Sequence, residues 1–262
     1  MCRKMIYTEY MGTLFQKTPE LFGIFHISAL IITILGNTVL FRALKHKNEA
    51  FLMKILHTTG LFMILMEVFK QWYCYKYVFQ RQLNLWFFPW QLCSMAMYCA
   101  FFVSYLKDER RQNALLVFLS TFSLFSDIIA LVLPYDMLRP QIVLTVHSFL
   151  YHGLIISCAL IAILILKKRK DIRFLPTVYL FLFMALIAFA INGISHALLN
   201  NIYIEPNMFY ITPAYPTTQP VFHDIAVKYG IFTEIILYLS LIILASYLFF
   251  IIERRFLFEK VR

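Results

Sequence analysis

The 262-residue chain is short of charge and short of glycine. Asp, Glu, Lys and Arg make up 15% of it, and Gly accounts for only 7 residues. Soluble domains carry about 25% charged residues, and a globule of this length leaves most of its residues partly wet. So little charge excludes a soluble enzyme, and a hydrophobic content of 61% excludes a disordered tail. Familiar signatures are missing as well. No HExxH, CxxC, GxSxG or P-loop pattern occurs, which sets aside the common metallopeptidase, redox, esterase and nucleotide chemistries. The histidines and acids show no ligand spacing on any one helix, so neither a metal nor a cofactor is expected. No internal repeat is visible, and seven spans fit poorly to an inverted-repeat transporter.

What the chain does have is long apolar runs, with 27 Phe among them. A membrane-spanning helix needs about 20 mostly apolar residues, and seven stretches qualify, near 21–43, 52–72, 88–106, 113–134, 142–166, 174–196 and 226–252. They are apolar almost throughout, whereas barrel strands alternate. The first run is full length and follows a polar, aromatic start, unlike the short core of a cleaved signal peptide. The expectation is an all-α polytopic membrane protein, a bundle of seven transmembrane helices. Residues 1–20 form an outer amino-terminal segment, 21–252 the transmembrane domain with an outer loop at 197–225, and 253–262 a cytoplasmic tail.

Loop charge sets the orientation. Sixteen of the 24 Lys and Arg residues fall on one side of this layout. Basic short loops stay cytoplasmic, so the amino terminus lies outside and the carboxyl terminus inside, in a plasma membrane. The net charge of +10 is thereby a topology signal, not a nucleic-acid surface. Lys167 to Lys170 is the densest basic cluster and reads as an anchor on anionic inner-leaflet lipid. The outer segment 197–225 holds four prolines and several tyrosines. It is either an aromatic interfacial belt or a lid over an outward pocket.

Ionisable groups inside a membrane are costly and ask for a reason. Counted from the span ends, His26, Glu67, Gln91, Cys93, Ser94, Asp127, His147, His152, Asn192, His196 and Glu234 all fall in the outer half. Ser120 and Ser123 share a helical face with Asp127, and Glu234 sits two turns into the last span. The inner half holds little beyond His57. One outward-facing polar cavity explains this clustering. Taken singly, His26 and His196 read as wetted interfacial histidines, and Glu67 as an acid reaching outer water.

Cys93 is the nucleophile candidate. It follows Pro89 by four residues, and proline favours the first turn of a helix, where the helix dipole encourages a thiolate. His152 is the base that reaches its depth, with His147 in reserve. Two readings of Cys93 stay open: nucleophile, or partner of Cys74 in a bridge.

At these spans the text resembles a known family. Phe88-Pro-Trp-Gln-Leu-Cys-Ser94 resembles the Leu-Pro-(His/Gln)-Leu-Cys-(Ser/Asp) signature of the YwaF family of multi-pass bacterial membrane proteins. His147-Ser-Phe-Leu-Tyr-His-Gly-Leu-Ile155 resembles its His-Gly-Leu-Ile stretch. That family is similar to a eukaryotic transmembrane acyltransferase that moves acyl chains into ether-linked phosphatidylethanolamine, and more distantly to androgen-induced membrane hydrolases. The resemblance implies lipid acyl transfer or ester cleavage by Cys93 and His152 on a membrane phospholipid or lysolipid. Gln91, Ser94 or backbone N–H groups would hold the oxyanion, and Asp127 or Glu234 would orient the His. The match weakens after the sixth span. Asn200-Asn-Ile-Tyr203 only echoes the family's Gly-Thr-Asn-Tyr run, and its Pro-Trp-Pro-Trp element is missing. Two other readings compete: a transporter or solute-binding protein using the same cavity, and a non-catalytic structural membrane protein.

Overall fold

The computed structural model describes residues 17–79, 81, 85–199 and 206–255. Those residues are helical throughout the bundle, with no strand among them. In chain order the helices are α1 (Ile24–Leu44), α2 (Glu49–Val78), α3 (Leu92–Tyr105), α4 (Glu109–Val132), α5 (Ile142–Leu166), α6 (Leu175–Leu199), α7 (Phe222–Tyr229) and α8 (Ile231–Glu253). The end where α2 stops and α5 starts is called upper, and the opposite end lower.

Local chemistry explains most boundaries. Asn48 caps α2 by accepting from the Phe51 N–H, and Asp108 caps α4 by accepting from Arg110. Pro134 follows α4. Gly230, at φ 93°, separates α7 from α8, a backbone region open to glycine. Helix α2 contains a π turn at Cys74–Val78 and helix α4 one at Leu119–Ser123. Each shifts the side-chain register above it, and such turns recur at functional sites.

Among the described residues, six helices, of 21 to 30 residues, are long and apolar enough to cross a membrane. The run at 88–106, expected as a span, is not one of them. It holds 11 α-helical residues and a three-residue 3-10 turn, which together rise about 20 Å. Hydropathy counts apolar residues and does not register that Leu85–Trp90 turn before the helix begins. The Trp90 indole N–H donates to the carbonyl of Met184 at 3.2 Å, nine residues into α6. Helix α3 therefore starts inside the bundle. A Cβ at Gly60 would lie 2.5 Å from the Phe101 nitrogen, so α2 and α3 pack backbone to backbone there.

Helix α5 is the central post, touching α1, α2, α3 and α4. The core runs along it through Ile155, Cys158, Ala162 and Ile165, against Met63, Cys99, Leu116 and Phe118. Above it lies a buried strap formed by residues 206–213. Asn207, Met208, Phe209, Ile211 and Thr212 are almost wholly enclosed, so these residues are neither a loose outer loop nor an aromatic belt. Most of the expected outer amino-terminal segment (1–16), the Asn200-Asn-Ile-Tyr203 run and most of the expected tail (256–262) lie outside the described residues.

Candidate functional site

His152 lies ten residues into α5, about 15 Å from its upper end. Its Nδ1–H donates to Asp127 Oδ1 on α4 at 2.5 Å, and both side chains are buried. Of the two acids considered as partners of His152, Asp127 and Glu234, the one bonded to it is Asp127. Nδ1 is thereby committed as donor, and Nε2, with no hydrogen-bond partner among the described residues, remains as the basic nitrogen. Asp127 Oδ2 is also buried without a partner.

Cys93 is the second residue of α3, whose first turn receives no cap from the Gln91 side chain. It is a free thiol, as is Cys74. Cys74 packs with Tyr73 and Leu144, whereas Cys93 packs against the main core, so the bridge between them is not formed. Cys93 lies within electrostatic reach of Glu67, Lys70 and Asp127. Tyr151, one residue before His152, belongs to the same buried core cluster against which Cys93 packs. Its phenol is buried and has no partner. Sequence reasoning missed Tyr151, because a tyrosine in an apolar helix reads as packing. Its place four residues after His147 and one before His152 was the available signal.

The strap closes the site from above. Gln91 donates from Nε2 to the Asn207 carbonyl at 3.2 Å and accepts from the Phe209 N–H at 3.0 Å. Its amide is thus engaged with the strap backbone through Oε1 and one of its two N–H groups. Asn192 does the same for Met208, accepting at 2.7 Å and donating at 3.0 Å. These contacts hold Phe209 and Tyr210 at φ 57° and 59°, a left-handed region that costs non-glycine residues about 1–3 kcal/mol each. Such strain persists where the surroundings over-determine it. Tyr210 donates to Asp136 at 2.7 Å, and burial beside that carboxylate raises the pKa of its phenol well above the usual tyrosine range.

Several expected cavity residues have structural tasks instead. His26 is fully buried, not wetted: Nδ1 accepts from the Phe22 N–H and Nε2–H donates to Leu131 O at 2.8 Å. His147 donates to Met66 O at 3.0 Å and stacks on Tyr151. Glu67 does not reach water. It is buried, paired with Lys70 at 2.8 Å and accepts from Gln71 at 2.7 Å. Glu234 belongs to the first turn of α8, since Gly230 breaks the helix expected to run from 226. Its Oε1 is buried and unpartnered. His196 is half-buried near the upper end of α6, and Ser94 is buried in the first turn of α3.

The lower half is more polar than expected. Ser120, carried by the π turn of α4, donates to Glu253 at 2.9 Å, and Ser123, Ser246 and Glu253 keep unpartnered buried atoms. Ser120 thus serves the lower end and not Asp127. Among the basic anchor residues, Lys168 and Lys170 are exposed, but Arg169 turns inward and joins Glu49, Gln112 and Asn113. Three such acceptors satisfy the guanidinium better than a lipid headgroup at the rim.

On the side facing the apolar exterior, α2 and α5 leave a groove of about 510 Å³ lined by Phe62, Leu65, Phe69, Val146, His147 and Leu150 among others. No group of three or more metal-ligating side chains gathers among the described residues.

A model of the TMEM164 family matches residues 21–252, and the chain belongs to that family of multi-pass membrane proteins. No curated protein and no solved structure matches it.

Proposed function

We propose that this TMEM164-family chain is a membrane-embedded lipid acyl-transfer enzyme, with Cys93 as nucleophile and His152 as base. The observation that carries the reading is the 2.5 Å bond from His152 Nδ1 to Asp127. It presents Nε2 of His152 as an acceptor, and Cys93 is a free thiol in the first turn of the half-length α3. The resemblance of residues 88–94 and 147–155 to the YwaF family, and through it to a phospholipid acyltransferase, supports the same pair. The strap over the site and the apolar groove between α2 and α5 favour a substrate arriving from the bilayer. In this reading the amino terminus is outside, the Lys/Arg-rich end is cytoplasmic, Lys168 and Lys170 meet anionic lipid, and the membrane is the cell's own.

The chemistry balances without a cofactor. Nε2 takes the thiol proton, and the thiolate attacks the carbonyl carbon of a phospholipid ester. The tetrahedral intermediate expels the alkoxide, which leaves as a lysolipid hydroxyl with the proton from His152. A second lysolipid hydroxyl then loses its proton to Nε2, attacks the thioester and returns the thiolate. Water in that role makes the enzyme a hydrolase.

The test is reconstitution in phosphatidylcholine vesicles with a labelled acyl donor and a lysophospholipid acceptor. The expected result is labelled acceptor lipid, a hydroxylamine-labile acyl group on Cys93, and loss of both in Cys93→Ala. Equal transfer by Cys93→Ala, or none by the intact chain, overturns the proposal.

A second reading, passage of a proton or small solute, is favoured by the buried Glu253, Ser120 and Ser246 at the lower end. It requires acid-driven uptake by vesicles that Glu253→Gln abolishes; uptake unaffected by that change rejects it.

A further inference from the structure

We propose that the Tyr151 hydroxyl donates the hydrogen bond that receives the oxyanion formed when Cys93 attacks an ester carbonyl. The assignment rests on the acyl-transfer reading and adds a residue to it. Buried hydroxyls almost always find a partner, and Tyr151 is buried with an unpartnered oxygen. An orphaned donor at that position is what a site looks like before its acceptor arrives.

Most neighbouring donors are already engaged, and Asn207 Nδ2 of the strap is the other buried donor without a partner. Gln91 holds the strap backbone, Trp90 holds Met184, Tyr98 donates to Pro89 O at 3.0 Å and Tyr210 to Asp136. Tyr151 is held rigidly, stacked on His147 with ring centroids 5.8 Å apart and edge-on to His152 at 6.3 Å. The rigidity matters, because an oxyanion donor works by being in place before charge develops. The first turn of α3, which has no side-chain cap, supplies the second partner, the Cys93 backbone N–H; the Ser94 N–H already donates to Gln91 O at 2.9 Å. Tyr151 keeps its proton throughout: the carbonyl π electrons move onto oxygen as the C–S bond forms, and return as the alkoxide leaves.

The test separates ester chemistry from thiol reactivity. Acylation of Cys93 by a phospholipid ester passes through an oxyanion, whereas its alkylation by iodoacetamide does not. In Tyr151→Phe, kcat for acyl transfer is expected to fall about 100- to 1,000-fold, with KM little changed and alkylation of Cys93 unchanged. An unaltered acylation rate overturns the assignment. So does an equal fall in acylation and alkylation, which marks a packing role. If the intact chain forms no thioester, the acyl-transfer reading falls first, and the assignment falls with it. Should Tyr151→Phe fail to fold, 3-fluorotyrosine at 151 keeps the shape and strengthens the donor. It is expected to raise acylation with alkylation unchanged, and the absence of a rise overturns the proposal.

Discussion

Two polar clusters in this bundle are finished in opposite ways. At the lower end Arg169 donates to Glu49 Oε1 at 2.6 and 2.9 Å, to Gln112 at 2.6 Å and to Asn113 at 2.9 Å. Gln112 and Asn113 then donate onward to the carbonyls of Leu106 and Lys170. At the middle of the bundle His152 and Asp127 meet through one bond, and Asp127 Oδ2 and the Tyr151 hydroxyl are left without partners. Unsatisfied buried polar groups are expensive. A closed network repays its burial by fastening α2, α4 and the end of α5, and needs no ligand. An open one is retained at a cost, which points to a partner that arrives later.

The comparison is broken most severely at Asp127. Asp127→Asn keeps the shape but offers an amide to Nδ1, which favours the wrong imidazole tautomer. Loss of the equivalent acid in hydrolase triads lowers turnover about 10⁴-fold, and a fall of about 10³- to 10⁴-fold is expected here with little change in unfolding temperature. Retained turnover shows that the open cluster is not catalytic. Arg169→Met should do the reverse. Removing one partner of a buried pair costs about 3–5 kcal/mol, reduced here to about 2–3 kcal/mol because the Glu49 side chain is 38% exposed. Turnover per folded molecule should stay unchanged in a thermal-shift and transfer assay run together. A matching loss of turnover removes the distinction between the clusters.

Asn192→Ala tests whether the strap belongs to the open cluster or to the scaffold. It deletes both side-chain bonds to Met208 and leaves that backbone unsatisfied, at about 1–3 kcal/mol. With the strap loosened, Cys93 should label faster with a membrane-impermeant maleimide, whereas Cys158, deep in the core, should not. Unchanged labelling of Cys93 shows that the strap does not cover the thiol.

Much of this contrast was out of reach of the sequence for specific reasons. The long apolar runs made the helical membrane class legible, and the Cys93, His152 and Asp127 positions were visible as polar groups in apolar text. Which acid faced His152 was not, because Asp127 and Glu234 sit on different helices whose rotations no single-helix pattern sets. The π turn at Leu119–Ser123 moved Ser120 away from Asp127's face, an extra residue that a uniform 100° wheel cannot anticipate. The depth of α3 depended on Trp90 reaching Met184, a contact between segments almost a hundred residues apart. The task of Asn192 depended on a strap with no helical or strand period at all.

His26 supplies the smallest expected effect and the sharpest control. It resembles His152 in residue type, burial and helical setting, and differs in one respect. Both of its ring nitrogens are occupied, by Phe22 and Leu131, so it ties the start of α1 to the end of α4 and has no nitrogen left for chemistry. His26→Ala should cost about 1–2 kcal/mol, the worth of two buried hydrogen bonds, seen as a lower unfolding temperature. Acyl transfer per folded molecule and its pH profile should match the intact chain, whereas His152→Ala removes transfer. If His26→Ala reduces transfer as strongly, hydrogen-bond occupancy does not separate scaffold from site here, and the contrast between the two clusters loses its meaning.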